Sequence, residues 1–274
     1  MLTRQFSQLI KVFTAFAFGV TTLVACVSDN DENIPLIFAA ASLSDVLEDS
    51  AELYENETEK RIEFSFGGSL TLANQITQLG APADGVFLVG DTAISRISAA
   101  DMLNGDGNGA VLFNQIALIG TNNSLPLESL TDLAGREGRI AIGNPELAPA
   151  GHYAKQAMMS AGVWNQLSDR LVLTSDVRSA MAAVTSGNVD FAFVYTSDVT
   201  SSQNNSFKQL TVIEDGYDQI FYTFAPISGA ANHQAVTDFK SFLLSSKQAQ
   251  DIFNAAGFQW NVLLTRITDT GGHH

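Results

Sequence analysis

Four stretches of the chain set small or hydroxyl-bearing residues where a helix begins, and none has a Lys or Arg in the start itself. They are Ala39-Ala40-Ala41-Ser42, Gly67-Gly68-Ser69, Pro149-Ala150-Gly151 and Asp176-Val177. The first turn of a helix exposes N–H groups without intrahelical acceptors, together with the positive end of the helix dipole. Several such starts brought together hold an anion by hydrogen bonding alone. Each residue taken singly has a plainer reading. Ser42 and Ser69 are good N-caps, worth about 1 kcal/mol with no ligand at all. Ala150 fits a Pro-Ala-Gly loop and Val177 a buried first turn. Tyr195, which ends an apolar run, fits a core with its hydroxyl at the rim.

Other chemistries find less support. A serine hydrolase needs an activated serine, yet no Gly-x-Ser-x-Gly elbow occurs, and a histidine partner would have to be His152 or His233, brought in by folding. No Gly-x-x-x-x-Gly-Lys run is present, so nucleotide hydrolysis belongs to a partner if it is needed. Asn104-Gly-Asp-Gly-Asn-Gly109 copies part of a calcium loop, but its twelfth position is Gln115 where Glu is required, and it reads as a surface turn. Cys26 is the one cysteine, which excludes an intramolecular disulfide and paired-cysteine metal sites. The net charge of −15 argues against nucleic acid and anionic membrane surfaces as partners.

The elements that would position the four starts alternate along the chain. Residues 1–25 read as an export signal, with Arg4 and Lys11 before the apolar Val12 to Ala25, a stretch short for a spanning helix. Leu23-Val24-Ala25-Cys26 resembles the bacterial lipoprotein cleavage box, which makes Cys26 the expected lipidation site; an ordinary secretory signal is the alternative. Residues 26–33 are polar and read as a tether. From Ile34 the pattern predicts an α/β fold. Strands are expected at Leu36 to Ala39, Ile62 to Phe66, Val86 to Val89, Ile116 to Ile119, Arg139 to Ile142, Leu171 to Leu173, Phe191 to Tyr195, Leu210 to Ile213 and Ile220 to Ile227. Helices are expected at Leu43 to Glu55, Leu70 to Leu79, Thr92 to Leu103, Tyr153 to Gly162, Val177 to Ser186, His233 to Leu244 and Gln248 to Ala255. Successive strand–helix–strand units imply parallel strands, whose carboxyl ends gather the helix starts.

Six ordered motifs sharpen this reading. Phe38-Ala-Ala-Ala-Ser-Leu43, Ser65-Phe-Gly-Gly-Ser-Leu-Thr-Leu-Ala73, Gly80-Ala-Pro-Ala-Asp84, Gly143-Asn-Pro-Glu146 with Pro149-Ala-Gly-His-Tyr-Ala-Lys155, Asp176-Val-Arg178 and Val194-Tyr-Thr-Ser-Asp198 follow one another. Together they resemble the periplasmic molybdate-binding proteins of ABC importers, from about Ile34 to Phe258. The resemblance implies a two-lobed periplasmic-binding-protein fold, each lobe a mostly parallel sheet flanked by helices, with the ligand in the interlobe cleft. It divides the chain into lobe 1 (34–112 and 225–262), lobe 2 (113–224) and a tail (263–274). It also implies that Ser42, Ser69, Ala150, Val177 and Tyr195 bind molybdate, or tungstate, through hydroxyl and backbone N–H groups. The implied protein is a non-enzymatic, lipid-anchored monomer, periplasmic or at the cell surface, which serves ABC importer subunits without a cofactor or a free metal cation.

A site made only of donors suits a fully ionised oxyanion, whereas a protonated one brings a donor with nothing to accept it. Sulfate, another dianion, is the alternative ligand that size must exclude. The Gly67-Gly68 pair stands where serine or alanine is common in relatives, and is expected to give the loop before Ser69 more backbone freedom. No proposed ligand titrates near neutrality, so affinity is expected to be flat with pH unless His152 faces the site; the plainer reading points His152 away.

Overall fold

Strands enriched in β-branched and aromatic residues alternate with amphipathic helices in the computed structural model, which describes residues 34–103, 109–202 and 205–261. The chain begins with β1 (Leu36–Ala40), a 3-10 turn (Ala41–Leu43), α1 (Ser44–Thr58), β2 (Glu63–Gly67), α2 (Ser69–Leu79), β3 (Gly85–Val89), α3 (Asp91–Ser98) and β4 (Ala110–Asn114). It continues through β5 (Ile116–Thr121), α4 (Leu130–Ala134), β6 (Ile140–Gly143), α5 (Pro149–Ser160), α6 (Trp164–Leu167), β7 (Leu171–Thr174), α7 (Val177–Thr185), β8 (Phe191–Tyr195), α8 (Thr196–Ser201) and β9 (Phe207–Ile213). It closes with β10 (Ile220–Pro226), α9 (His233–Ser245), α10 (Lys247–Ala255) and β11 (Gln259–Trp260).

The strands form two sheets, each the centre of a lobe. One has the order β11-β4-β10-β3-β1-β2, the other β7-β6-β8-β5-β9. In the first, β1 pairs in parallel with β2 and β3, while β10 runs antiparallel between β3 and β4. In the second, β6 pairs in parallel with β7 and β8, and β5 runs antiparallel to β8 and β9. The chain passes between sheets at Gln115, and again between Ile213 and Ile220. Both β4 and β10 lie wholly in the first sheet, so boundaries drawn at 112 and 224 pass through strands. Registers such as Ala40 opposite Gly67 and Gly143 opposite Thr174 align the carboxyl ends of neighbouring parallel strands, which places the segments after them side by side.

Several elements depart from the sequence pattern. Helix α5 starts at Pro149, ahead of Tyr153, because proline at the first helical position gives up an N–H that has no partner there anyway. Helix α3 stops at Ser98, short of Leu103, where Asp101 takes a φ of 55° and Met102 N–H turns back to Ile97 O. Strands β4 and β11 and the short helices α4, α6 and α8 had no periodic signal. Cys26, the signal, the tether, the tail from 263 and residues 104–108 of the calcium-like turn lie outside the described residues.

Candidate functional site

The carboxyl ends of six parallel strands, three from each sheet, meet at one small cavity. Ser42 lies in the 3-10 turn after β1, Ser69 opens α2 after β2, and Val89 ends β3. Ala150 is the second residue of α5, after β6; Val177 opens α7, after β7; Tyr195 ends β8. All five sequence-predicted ligands line this cavity, with Gly67, Gly68, Val89, Ala148, Pro149 and Asp176. The cavity between these residues is small, with space for about one water-sized species.

The hydroxyls are directed by contacts that sequence did not reveal. Ser69 does not cap its helix, since Gly68 holds the N-cap position and no side chain caps there. Its Oγ accepts from Val89 N–H at 3.1 Å, which leaves the Ser69 proton for the cavity. Ser42 does not cap either; its Oγ is 2.9 Å from Tyr222 Oη on β10. Neither serine is partnered by histidine, and His152 is exposed and absent from the cavity wall. Tyr195 is 1% exposed, and its hydroxyl has no partner within the protein. An unpaired buried hydroxyl costs about 1–3 kcal/mol, and this one lies at the cavity wall.

Glycine 68 fixes how closely the lobes approach. Its φ of −65° and ψ of 128° are open to any residue, so backbone freedom is not its purpose. A Cβ there would lie 2.8 Å from Ser175 O and 2.9 Å from Leu147 O, both backbone atoms of the opposite lobe. Beside it, Thr71 N–H donates across to Leu147 O at 3.3 Å.

The α7 start does bring a cation, and the structure turns it away from the cavity. Arg178 Nε is 3.0 Å from Asp198 Oδ1, out of line for a hydrogen bond, and Arg178 Nη2 is 2.9 Å from Asp45 Oδ2 on α1. Asp198 is fully buried, and its other oxygen accepts from Tyr195 N–H at 2.9 Å. Burial pushes its carboxyl up to about 6, against the pull of Arg178 and of the Tyr195 N–H. A titrating group therefore sits directly behind Tyr195, a neighbour that the sequence pattern did not single out. Burial also holds the Tyr195 hydroxyl protonated far beyond neutrality, so it remains a donor.

Two lobes closing on a small, donor-lined cavity define a ligand-capturing protein of the two-lobed kind. The chain belongs to the bacterial extracellular solute-binding proteins, whose family pattern matches residues 35–259. It is 33% identical over 240 residues to the molybdate-binding protein ModA of Escherichia coli K12, covering 83% of this chain and 90% of that one. Its fold superposes on the Azotobacter vinelandii periplasmic molybdate-binding protein with a TM-score of 0.73 at 20% identity, over 82% of this chain and 98% of the other. The sulfate-binding protein SubI of Mycobacterium tuberculosis shares the fold, with a TM-score of 0.71 at 15% identity, over 88% and 91% of the two chains. This is a family of binding proteins, not of enzymes, and its description places it outside the cytoplasm.

Proposed function

We propose that this protein captures molybdate, or the closely similar tungstate, and delivers it to an ABC importer. The observation that carries the reading is the buried Tyr195 hydroxyl, unpartnered at the wall of a cavity built from helix starts. Ser42, Ser69 and Tyr195 would donate their hydroxyl protons, and the first-turn N–H groups of Ser42, Ser69, Ala150 and Val177 would complete the cage. Arg178 is occupied by two carboxylates, so hydrogen bonds and helix dipoles would hold the dianion without a countercharge. The names of the molybdate-binding relatives support the choice of anion. Membrane attachment through lipidated Cys26 and a monomeric state complete the proposal.

Calorimetric titration of ligand-free protein with molybdate, tungstate, sulfate and phosphate tests it. One molybdate per chain is expected, with phosphate rejected, and saturation at a hundred times Kd should add about 2.7 kcal/mol of stability. An unchanged melting temperature and no heat with molybdate would refute the reading; tighter binding of sulfate would reassign the anion.

Asp198 supplies the pH dependence. Above about pH 7 it is charged and repels the dianion, and below about 6 it takes a proton, so affinity should be flat at high pH and tighten as pH falls. Titrations from about pH 8 to about pH 5.5 are expected to show at least about a threefold gain, lost in Asp198→Asn. A gain that persists in that variant would place the titrating group elsewhere.

A further inference from the structure

The Ser42 hydroxyl ends a buried hydrogen-bond chain whose direction is set at the crossing between lobes. Asn114, the last residue of β4, presents one side-chain atom to the backbone N–H groups of Gln115 at 2.9 Å and Ser197 at 3.5 Å, and to Thr196 Oγ1 at 2.9 Å. Backbone N–H groups only donate, so that atom is the carbonyl oxygen. The amide nitrogen therefore points the other way, 2.7 Å from Ser197 Oγ and 3.2 Å from Tyr222 Oη. Tyr222 Oη accepts from it and has a single proton of its own to give. Its other partner is Ser42 Oγ at 2.9 Å, so Ser42 accepts this proton and keeps its own for the cavity.

We infer that Asn114 and Tyr222 are positioning residues that make Ser42 a donor toward the anion, and thereby favour fully deprotonated oxyanions. The inference rests on the oxyanion-binding function proposed above. A serine free of this chain rotates and can take a proton from a ligand as readily as it gives one, which weakens discrimination against a protonated anion. Tyr222 is fully buried, and burial keeps its hydroxyl protonated, so the relay holds its direction across the working pH range.

Two substitutions probe the relay. Tyr222→Phe keeps the ring and deletes the link. Asn114→Asp puts an acceptor where a donor stood, so Tyr222 gives its proton to the carboxylate and Ser42 must donate inward. Kd for molybdate is measured in each, with and without Ser42→Ala, beside the melting temperature of the ligand-free proteins. Asn114→Asp should weaken binding about tenfold to a hundredfold, and Tyr222→Phe about threefold to tenfold. In the Ser42→Ala background the Asn114→Asp loss should shrink at least about fivefold and the Tyr222→Phe loss at least about twofold. The charge added by Asn114→Asp acts in both backgrounds and cancels in the comparison, as does any role of Asn114 in packing the crossing. Equal losses in both backgrounds would overturn the relay, and if Asn114→Asp fails to fold, the Tyr222→Phe pair decides alone. Wild-type protein that binds no molybdate would reject the functional reading and the relay together; wild-type binding with uncoupled variants rejects the relay only.

Discussion

Gly68→Ala is expected to weaken ligand binding about thirtyfold to a hundredfold while leaving the ligand-free fold almost as stable as before. The new methyl group would meet Ser175 O at 2.8 Å and Leu147 O at 2.9 Å, and neither is the far end of a flexible side chain. Leu147 O is also held by Thr71 N–H from the opposite lobe, so relief requires the lobes to part. Overpacking of this kind costs about 2–3 kcal/mol, and here the penalty falls on the closed form alone. The backbone angles at Gly68 suit alanine, and an open form has no clash to suffer. Calorimetry with molybdate and a melting curve of the ligand-free variant check both halves. An unchanged Kd would mean that the lobes bind ligand without closing to this distance.

A second large effect is expected from Arg178→Met, this time on folding. Asp198 is 0% exposed, and breaking a buried pair from one side costs about 3–5 kcal/mol because the remaining charge is stranded. The companion pair to Asp45 contributes far less, since the Asp45 side chain is 47% exposed and water screens it. The pH dependence identifies the cause. A carboxyl raised from 3.8 to about 6 binds its proton more tightly when folded, so its stability contribution falls as pH rises through that window. Removing Arg178 raises the folded value further and extends the falling limb above 6. The variant should therefore be close to wild type at about pH 5 and most destabilised at about pH 8, with Asp198→Asn restoring much of the loss. Urea denaturation of ligand-free protein at several pH values measures this; a loss independent of pH would mean that packing, and not the stranded carboxylate, is responsible.

The strands β1 to β3, β6 and β7 were legible as short apolar runs with helical spacing after them, and β8 as an apolar run alone. β4 was not, since Ala110–Asn114 is five residues long, abuts a glycine-rich run and leads into β5 after a single residue. Helix α8 was equally hidden: Thr-Ser-Asp-Val-Thr-Ser has poor helix propensity, and the turn is held by Asp198 bonding back to Tyr195 N–H. The residues around the cavity were legible as helix starts following strands. The groups behind them were not. Tyr222 and Asn114 look like ordinary strand residues, and only the pairing of β10 with β3 and β4 brings them to Ser42 and its neighbours. Arg178 follows the α7 start directly in the sequence, and only the fold shows Asp198 and Asp45 claiming it.

The tight seam at Gly68 also governs time. A small cavity walled by residues of both lobes is expected to retain its anion while they remain together. Residence time is then set by how often the lobes separate, and not by how fast individual hydrogen bonds to the anion break. Two contacts cross between the lobes, Thr71 to Leu147 and Arg178 to Asp45. A membrane partner that grips both lobes and loosens either contact would shorten the ligand's stay without touching a single group in the cage.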